Sequence, residues 1–384
     1  MLRFLTAGES HGQALVTILE GIPAGLPLNR ELIDRELARR QLGYGRGGRM
    51  EIERDKVEIL SGVRLGKTMG SPITLLIRNR DWENWKEVMS VEELRPGPVK
   101  ITRPRPGHSD LAGLLKYDSD DIRSVLERAS ARETAIRTGV GAVCKVFLAE
   151  LNISVISHVV NIGGIWGKRS PSGVADSATI DQSPVRCLDD EASKNMVEAI
   201  DKAKLEGDTL GGIFEVIAYG VPVGLGSFAQ ADLRLDGRLA QALMGIPAIK
   251  GVEIGVGFSL AGVKGSEAHD EIFYDKKKGF YRRTNRAGGL EAGVTNGQPI
   301  VLRAVMKPIS TLGRSLRTVD ILTKETAEAL KERADVCAVP SAAVVGEAVV
   351  AVEIACCVSE KFGGDSLGEL KENFDAYITR ITSR

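Results

Sequence analysis

Gly21-Ile22-Pro23-Ala24-Gly25-Leu26 closes one strand-like run, and Gly220-Val221-Pro222-Val223-Gly224-Leu225 closes another in the second half of the chain. Ahead of the first hexapeptide, Ala14, Val16 and Ile18 alternate with Leu15, Thr17 and Leu19, the period of a strand with one buried face. Each hexapeptide is followed by an Arg/Leu-rich helical pattern, a glycine, and a strand carrying Glu-Ile (Glu51-Ile52 and Glu253-Ile254). One repeated hexapeptide is weak, but the same order of elements twice predicts a duplicated β-turn-α-β unit. Such halves share one core about a pseudo-twofold axis. The expected fold class is therefore α+β, one domain over 1–384 with sheets packed on helices and halves at about 1–165 and 211–362. Residues 166–210 read as a polar, irregular insertion between them.

Working outward, strands are expected at 2–7, 14–22, 50–54, 57–63 and 72–78, then at 153–165, 211–219, 252–260 and 299–306. Asn29 can cap a helix running to about Gln41. One long helix is expected from Asp120 to about Leu151, another from Ser341 to Phe362, and a more polar one from about Ser366.

The totals exclude several classes. Over 384 residues, Lys plus Arg equals Asp plus Glu at 51 each, so the basic excess of a polyanion binder is missing and no nucleic-acid partner is expected. Cys144, Cys187, Cys337, Cys356 and Cys357 form no Cys-x-x-Cys pair, their number is odd, and most fall in apolar runs, which suits a reducing cytoplasm. The first residues lack the apolar core of a signal peptide, and no stretch reaches ~18 apolar residues without charge, so no membrane span is expected.

Three generic motifs fail on context. Gly8-Glu9-Ser10-His11-Gly12 has the spacing of a nucleophile elbow, yet a strand pattern follows it where a helix is required. Gly43, Gly45 and Gly48 have dinucleotide-fingerprint spacing but follow a helix and open a strand. Gly62 to Thr68 is one residue short of a P-loop.

What survives is arginine in acid-poor settings. Residues 41–50 hold Arg46 and Arg49 among four glycines, and residues 95–108 hold Arg95, Lys100, Arg103 and Arg105 among stiffening prolines. Glycine lets backbone approach an anion, and arginine grips phosphate or carboxylate in a fork. Solvated basic loops are the plain alternative. In the helix expected at 120–151, Arg132 falls on the apolar stripe of Val125, Ala129, Ile136 and Val143. A guanidinium there must be paired, either with a distant Asp or Glu or with an anionic ligand, because Glu127 and Glu133 point elsewhere on that helix. His11 and His108 both sit in glycine-flanked turns beside hydroxyls, which suits proton transfer. His158, in a strand, reads as structural, and His269 has no supporting motif. No two histidines have metal-ligand spacing, so no metal site is expected.

Together the stretches GESHGQALVTILEGIPAGLP, RRQLGYGRGGRMEIE, RPRPGHSDLAGLLKY, DIRSVLERASARETA, GDTLGGIFEV, GGLEAGVTNGQPI, MKPISTL and RADVCAVPSAAVVGEAVVA resemble the chorismate synthase family, in consistent order over essentially the whole chain. The resemblance implies a β-α-β sandwich subunit in a homotetramer. It implies a 1,4-anti elimination of phosphate and a ring hydrogen from 5-enolpyruvylshikimate-3-phosphate to give chorismate, the last step of the shikimate pathway. Reduced flavin mononucleotide (FMN) is required without net redox change.

By that resemblance His11 corresponds to the proton donor near the departing phosphate. His108 corresponds to the histidine beside the flavin, and Asp335 to the carboxylate near flavin N5. Ser10, Arg40, Arg46, Arg49, Arg105, Arg132 and Arg333 correspond to the substrate pocket. Arg128, Ala129, Ser130, Pro247, Ala248, Ala292, Lys307, Pro308, Ile309, Ser310, Thr311 and Arg333 correspond to flavin contacts. Arg40 and Arg46 are also where a nicotinamide cofactor, NADPH, sits in members that reduce their own flavin; others depend on a separate flavin reductase, and the residues leave both open. Pro247, Ala292 and Ala334 stand where Asn, Gly and Ser are frequent in the family, which weakens side-chain assignments at 247 and 292. The competing readings are a serine hydrolase acting through Ser10 and a non-catalytic flavin- or anion-binding protein.

Overall fold

The computed structural model describes residues 2–47, 54–171, 173–276, 279–330 and 335–383. The strand expected at 50–54 falls mostly outside them, as do Arg49 and Arg333. The strands of the two main sheets are β1 (Arg3–Ala7), β2 (Ala14–Glu20), β3 (Val57–Ser61), β4 (Ile73–Arg78), β5 (Ser154–Ile162), β6 (Ile165–Trp166), β7 (Gly212–Tyr219), β8 (Ile249–Ile254) and β9 (Ile300–Met306). The main helices are α1 (Arg30–Gln41), α2 (Asp110–Lys116), α3 (Arg123–Ala129), α4 (Thr134–Ala149), α5 (Ser177–Gln182), α6 (Asp190–Leu205), α7 (Leu235–Met244), α8 (Val339–Phe362) and α9 (Leu367–Thr382).

Two antiparallel sheets carry the architecture, in order β1-β2-β4-β3 and β8-β9-β7-β5-β6. The alternation in β2 is realised: Leu15, Thr17 and Leu19 are buried, and Ile73, Leu75 and Ile77 of β4 join them. Helix α4 covers β2 and β4, helix α8 covers β5 and β7, and the two helices pack on each other. Helix α1 flanks α4, and α7 flanks α8. Where α4 meets α8 the approach is as close as backbones allow. A Cβ on Gly141 would lie 2.3 Å from Ala348 Cβ.

Two turns, one in each sheet, share a hydrogen-bond pattern. Thr68 Oγ1 donates to Pro23 O at 2.6 Å and accepts from Leu26 N at 2.9 Å. Thr295 Oγ1 donates to Pro222 O at 2.6 Å and accepts from Leu225 N at 2.8 Å. Gly25 N donates to Thr68 O and Gly224 N to Thr295 O, each at 2.9 Å. The hexapeptides quoted above are these turns. Gly25 and Gly224 adopt φ of 90° and 91°, which disfavours any side chain there.

Helix α8 is long and apolar enough to cross a membrane, yet it is almost wholly buried between the layers. Its one fully buried charge is Glu347, which accepts from Arg39 Nη1 (2.7 Å), Lys145 Nζ (2.7 Å), Ser157 Oγ (2.8 Å) and Arg186 Nη2 (3.0 Å). Burial alone would raise its pKa, but Lys145, Arg39 and Arg186 hold the carboxyl well below the usual range.

Three expectations are corrected. The strand expected at 252–260 ends at Ile254, and Gly257–Gly262 form a 3-10 turn. The helix expected at 120–151 is broken. Helix α3 ends at Ala129, Ser130 is extended (ψ 142°), and residues 131–133 form a 3-10 turn before α4. Ser130 Oγ accepts from Arg132 N at 3.3 Å, so a serine that periodicity reads as interior caps a new turn. The segment 166–210 is not irregular, since α5 and the sixteen-residue α6 lie within it.

Candidate active site

The break at Ser130 opens one wall of a cavity of about 960 Å³. The Ser10-His11 turn, the end of α1, residues 105–109, residues 246–250, residues 306–311 and the start of α8 supply the others. Its charged lining is Arg40, Arg46, Arg105, Arg132, Lys250 and Lys307 against Asp81 and Asp335. Other carboxylates stand behind the lining, where they hold its cations and histidines in place.

Arg132 is buried. Its Nη1 donates to Asp55 at 2.6 Å and its Nε to Asn79 Oδ1 at 2.9 Å. Its partner is thus a distant carboxylate, one of the two alternatives open from sequence. Asn79 Nδ2 in turn donates to Glu9 O and Gly12 O, tying Arg132 to the His11 turn. Arg40 donates from Nε (3.1 Å) and Nη2 (2.8 Å) to Thr134 Oγ1. Its Nη1 is buried with no hydrogen bond and lies 3.6 Å from Asp55 Oδ2. Burial, partly offset by Asp55 and reinforced by the like charges of Arg46 and Arg132, pushes the Arg40 guanidinium down to about 9. It is still cationic at neutral pH. An anion bound here would relieve that strain.

His11 is fixed on three sides. Nδ1 donates to Glu127 at 2.9 Å, the backbone N–H donates to the same carboxylate at 2.7 Å, and the ring stacks on Trp85 at 3.8 Å. Arg123 Nη1 also donates to Glu127 at 3.1 Å. Burial would raise Glu127, but His11 and then Arg123 hold it lower. Glu127 thus points away from Arg132, as helical spacing has it, and toward His11. The helix break turns α3 so that it backs the histidine.

His108 is built the same way. Its Nδ1 donates to Asp110, which also accepts from Arg105 Nε at 2.9 Å and Arg105 N at 3.0 Å. Arg105 Nη1 donates to Thr311 Oγ1 at 2.9 Å. Burial would raise Asp110, but hydrogen bonds from His108 and Arg105 hold its carboxyl well below the usual range. In both histidines the carboxylate takes Nδ1, which leaves Nε2 for chemistry. Asp335 accepts from Gly47 N at 2.6 Å and lies 3.0 Å from Arg46 Nη1.

Of the residues expected from sequence, the cavity brings together Ser10, His11, Arg40, Arg46, Arg105, His108, Ala129, Ser130, Arg132, Pro247, Ala248, Lys307, Ile309, Ser310, Thr311 and Asp335. Pro308 and Ala292 do not line it. Arg128 does not either, because its guanidinium turns onto Gly8 O (2.9 Å) and Thr6 O (3.3 Å). His158 is buried and pairs with Glu215 at 3.0 Å. Sequence reasoning missed Asp55, Asn79, Asp81, Trp85 and Asp110. Only Asp110 carried a signal, two residues beyond His108.

Known proteins share this chain's whole length. The chorismate synthase family model matches residues 2–358. The chorismate synthase of Syntrophotalea carbinolica is 58% identical over 98% of this chain and 97% of its own. That of Desulforudis audaxviator is 57% identical over 99% and 98%. A crystal structure of chorismate synthase superposes with TM-score 0.78 at 44% identity, covering 100% of this chain and 99% of that one. The chain belongs to the chorismate synthase family, lyases of the shikimate pathway to the aromatic amino acids.

Proposed function

We propose that the chain carries out the 1,4-anti elimination of phosphate and a ring hydrogen from 5-enolpyruvylshikimate-3-phosphate in this cavity, with reduced FMN bound beside the substrate. The observation that carries the reading is convergence: four arginines from three separate stretches of the chain meet two carboxylate-held histidines in one cavity. The residues fit both molecules. The buried Arg40 Nη1, which makes no hydrogen bond, is a donor suited to a substrate anion. An apolar wall of Leu126, Ala129, Met244, Ile246 and Pro247 gives a ring system a face to lie on. Ala129, Ser130, Pro247, Ala248, Lys307, Ile309, Ser310 and Thr311 would hold the FMN. When bound, reduced FMN supplies electron density as phosphate departs and takes it back as the hydrogen is lost.

The chain's own residues do the rest. Arg40, Arg46, Arg105 and Arg132 hold the anionic groups of the substrate and offset the charge of the leaving phosphate. His11 Nε2 gives it a proton while Glu127 keeps the ring oriented. His108 Nε2 holds the protonation state on the flavin side, fixed by Asp110. The Asp335 carboxylate, oriented by Gly47 and Arg46, manages the proton from the ring. Ser10 adds to the pocket in this reading, and the family resemblance assigns substrate roles to Arg49 and Arg333.

The decisive test is an anaerobic assay with dithionite-reduced FMN. Chorismate should form in large excess over flavin, and the flavin should remain reduced. Flavin binding without chorismate would leave a non-catalytic binder, and fluorophosphonate labelling of Ser10 a hydrolase. Turnover with NADPH and oxidised FMN would show that the chain reduces its own flavin, with Arg40 and Arg46 as the proposed NADPH contacts; turnover only with pre-reduced flavin would call for a separate reductase.

The same reading makes the enzyme a cytoplasmic homotetramer built as a β-α-β sandwich from a duplicated unit. Five buried, unbridged cysteines support the location. Adjacent exposed Leu5 and Ile18 on the first sheet support assembly. The matched Thr68 and Thr295 turns and the equivalent strand orders support duplication.

A further inference from the structure

No described residue of the segment 166–210 lines the cavity, yet the segment grips three of the loops that do. The first is the Arg46 loop. Tyr44 Oη donates to Asp201 Oδ1 of α6 at 2.8 Å, and Tyr44 N donates to Pro184 O at 2.7 Å. Gly45 (φ 87°) is wedged so tightly that a Cβ there would lie 2.9 Å from Ile200 Cγ2 of α6 and 3.2 Å from Cys337 N. The second is the stretch next to Asp335, where Leu210 N donates to Val336 O (2.9 Å) and Val336 N donates to Gly45 O (2.7 Å). The third is the loop after β9. Thr209 Oγ1 donates to Ile309 O at 2.8 Å, Arg314 N donates to Gly207 O at 3.0 Å, and Arg314 pairs with Asp208 at 2.5 Å.

We infer that this segment is a clamp that sets the Arg46–Asp335 pair, and that Tyr44 and Asp201 are positioning residues for substrate binding. The inference rests on the proposed function only for the identity of the anion that Arg46 meets. The Tyr44–Asp201 bond is the latch between α6 and the loop. It lies two residues from Arg46, and neither Tyr44 nor Asp201 lines the cavity. Helix α6 is otherwise seated by its own apolar face, Ala192, Met196, Ile200 and Ala203. Removing one hydroxyl should therefore loosen the loop without unseating the helix.

The test uses Tyr44→Phe, Asp201→Asn and the double variant in the full chain. Loss of one solvent-facing hydrogen bond to a carboxylate should raise KM for 5-enolpyruvylshikimate-3-phosphate roughly three- to tenfold, with kcat changed by less than about twofold. The double variant should be no worse than either single one, because both remove the same bond. Deuterium exchange in the ligand-free protein should quicken in residues 43–47 and 335–338 and stay unchanged in residues 9–12. Unchanged exchange in 43–47, or single-variant effects that add, would overturn the clamp. If exchange quickens as expected while the wild type makes no chorismate, the clamp stands and the functional reading falls.

Discussion

Arg132 holds a full charge at 3% side-chain exposure, with Asp55 as its counter-ion and Asn79 as its second acceptor. Breaking a buried pair of this kind costs about 3–5 kcal/mol, since the remaining charge stays buried alone. Arg132→Ala should therefore lose turnover and lower Tm together. Arg132→Lys separates the two effects. Lysine can still neutralise Asp55 but loses the fork, so kcat/KM should drop roughly ten- to a hundredfold, the worth of one or two charge-assisted hydrogen bonds. Full activity in the lysine variant would show that the fork is not used. The histidines divide in the same manner. His11→Ala should slow phosphate departure by about 10²–10⁴ while flavin affinity holds. His108→Ala should change the absorbance of reduced flavin with substrate bound, and identical spectra would remove His108 from that role.

At the scale of elements, α4 and α8 meet at Gly141 with no room for a side chain. Gly141→Ala would drive a methyl into Ala348, where both partners are helix and neither can move aside. Overpacking of this kind costs about 1–3 kcal/mol, which a urea midpoint measures directly. No loss of stability would mean the helices can part. The long strands and the outer helices were legible because period and caps are local. Asn29 and Ser366 each accept from the N–H three residues on, as an N-cap should. The break at Ser130 was not legible, because the apolar stripe continues across it and the reason for stopping is tertiary. Arg132 must reach Asp55, and Glu127 must reach His11. The carboxylates behind the cavity were hidden for the same reason. Asp55 sits 77 residues from Arg132 and Glu127 116 from His11, distances that no spacing rule spans. Arg46 and Arg105 were legible as parts of acid-poor runs and the two histidines as glycine-flanked turns beside hydroxyls, whereas Arg95, Lys100 and Arg103 of the same runs pair with Glu93, Asp120 and Asp320 outside the cavity lining.

For the molecule as a whole, buried carboxylates set the response to acid. Asp110 and Glu347 are held below the usual range in the fold, so their stabilisation is present above the unfolded value of about 4 and is lost as pH falls below it. Glu347→Gln should be less stable than wild type at pH 7, and its urea midpoint should fall less steeply between pH 5 and pH 3, a range taken from that unfolded value. Parallel slopes would exclude Glu347 as a source of acid sensitivity. The placement of α8 also has a consequence for synthesis. Cys356 Sγ reaches Leu2 O, Ser341 Oγ donates to Arg40 O, and Leu367 N donates to Ala24 O. Residues near positions 2, 24 and 40 thus wait for partners made 301 to 354 positions later. Until α8 emerges, the inner side of α4 has nothing to cover it, and contacts of such long separation close slowly. A nascent chain stopped at residue 338 should stay protease-sensitive throughout and bind holdase chaperones, whereas one extended past α9 on a tether long enough to clear the exit tunnel should become resistant in a single step.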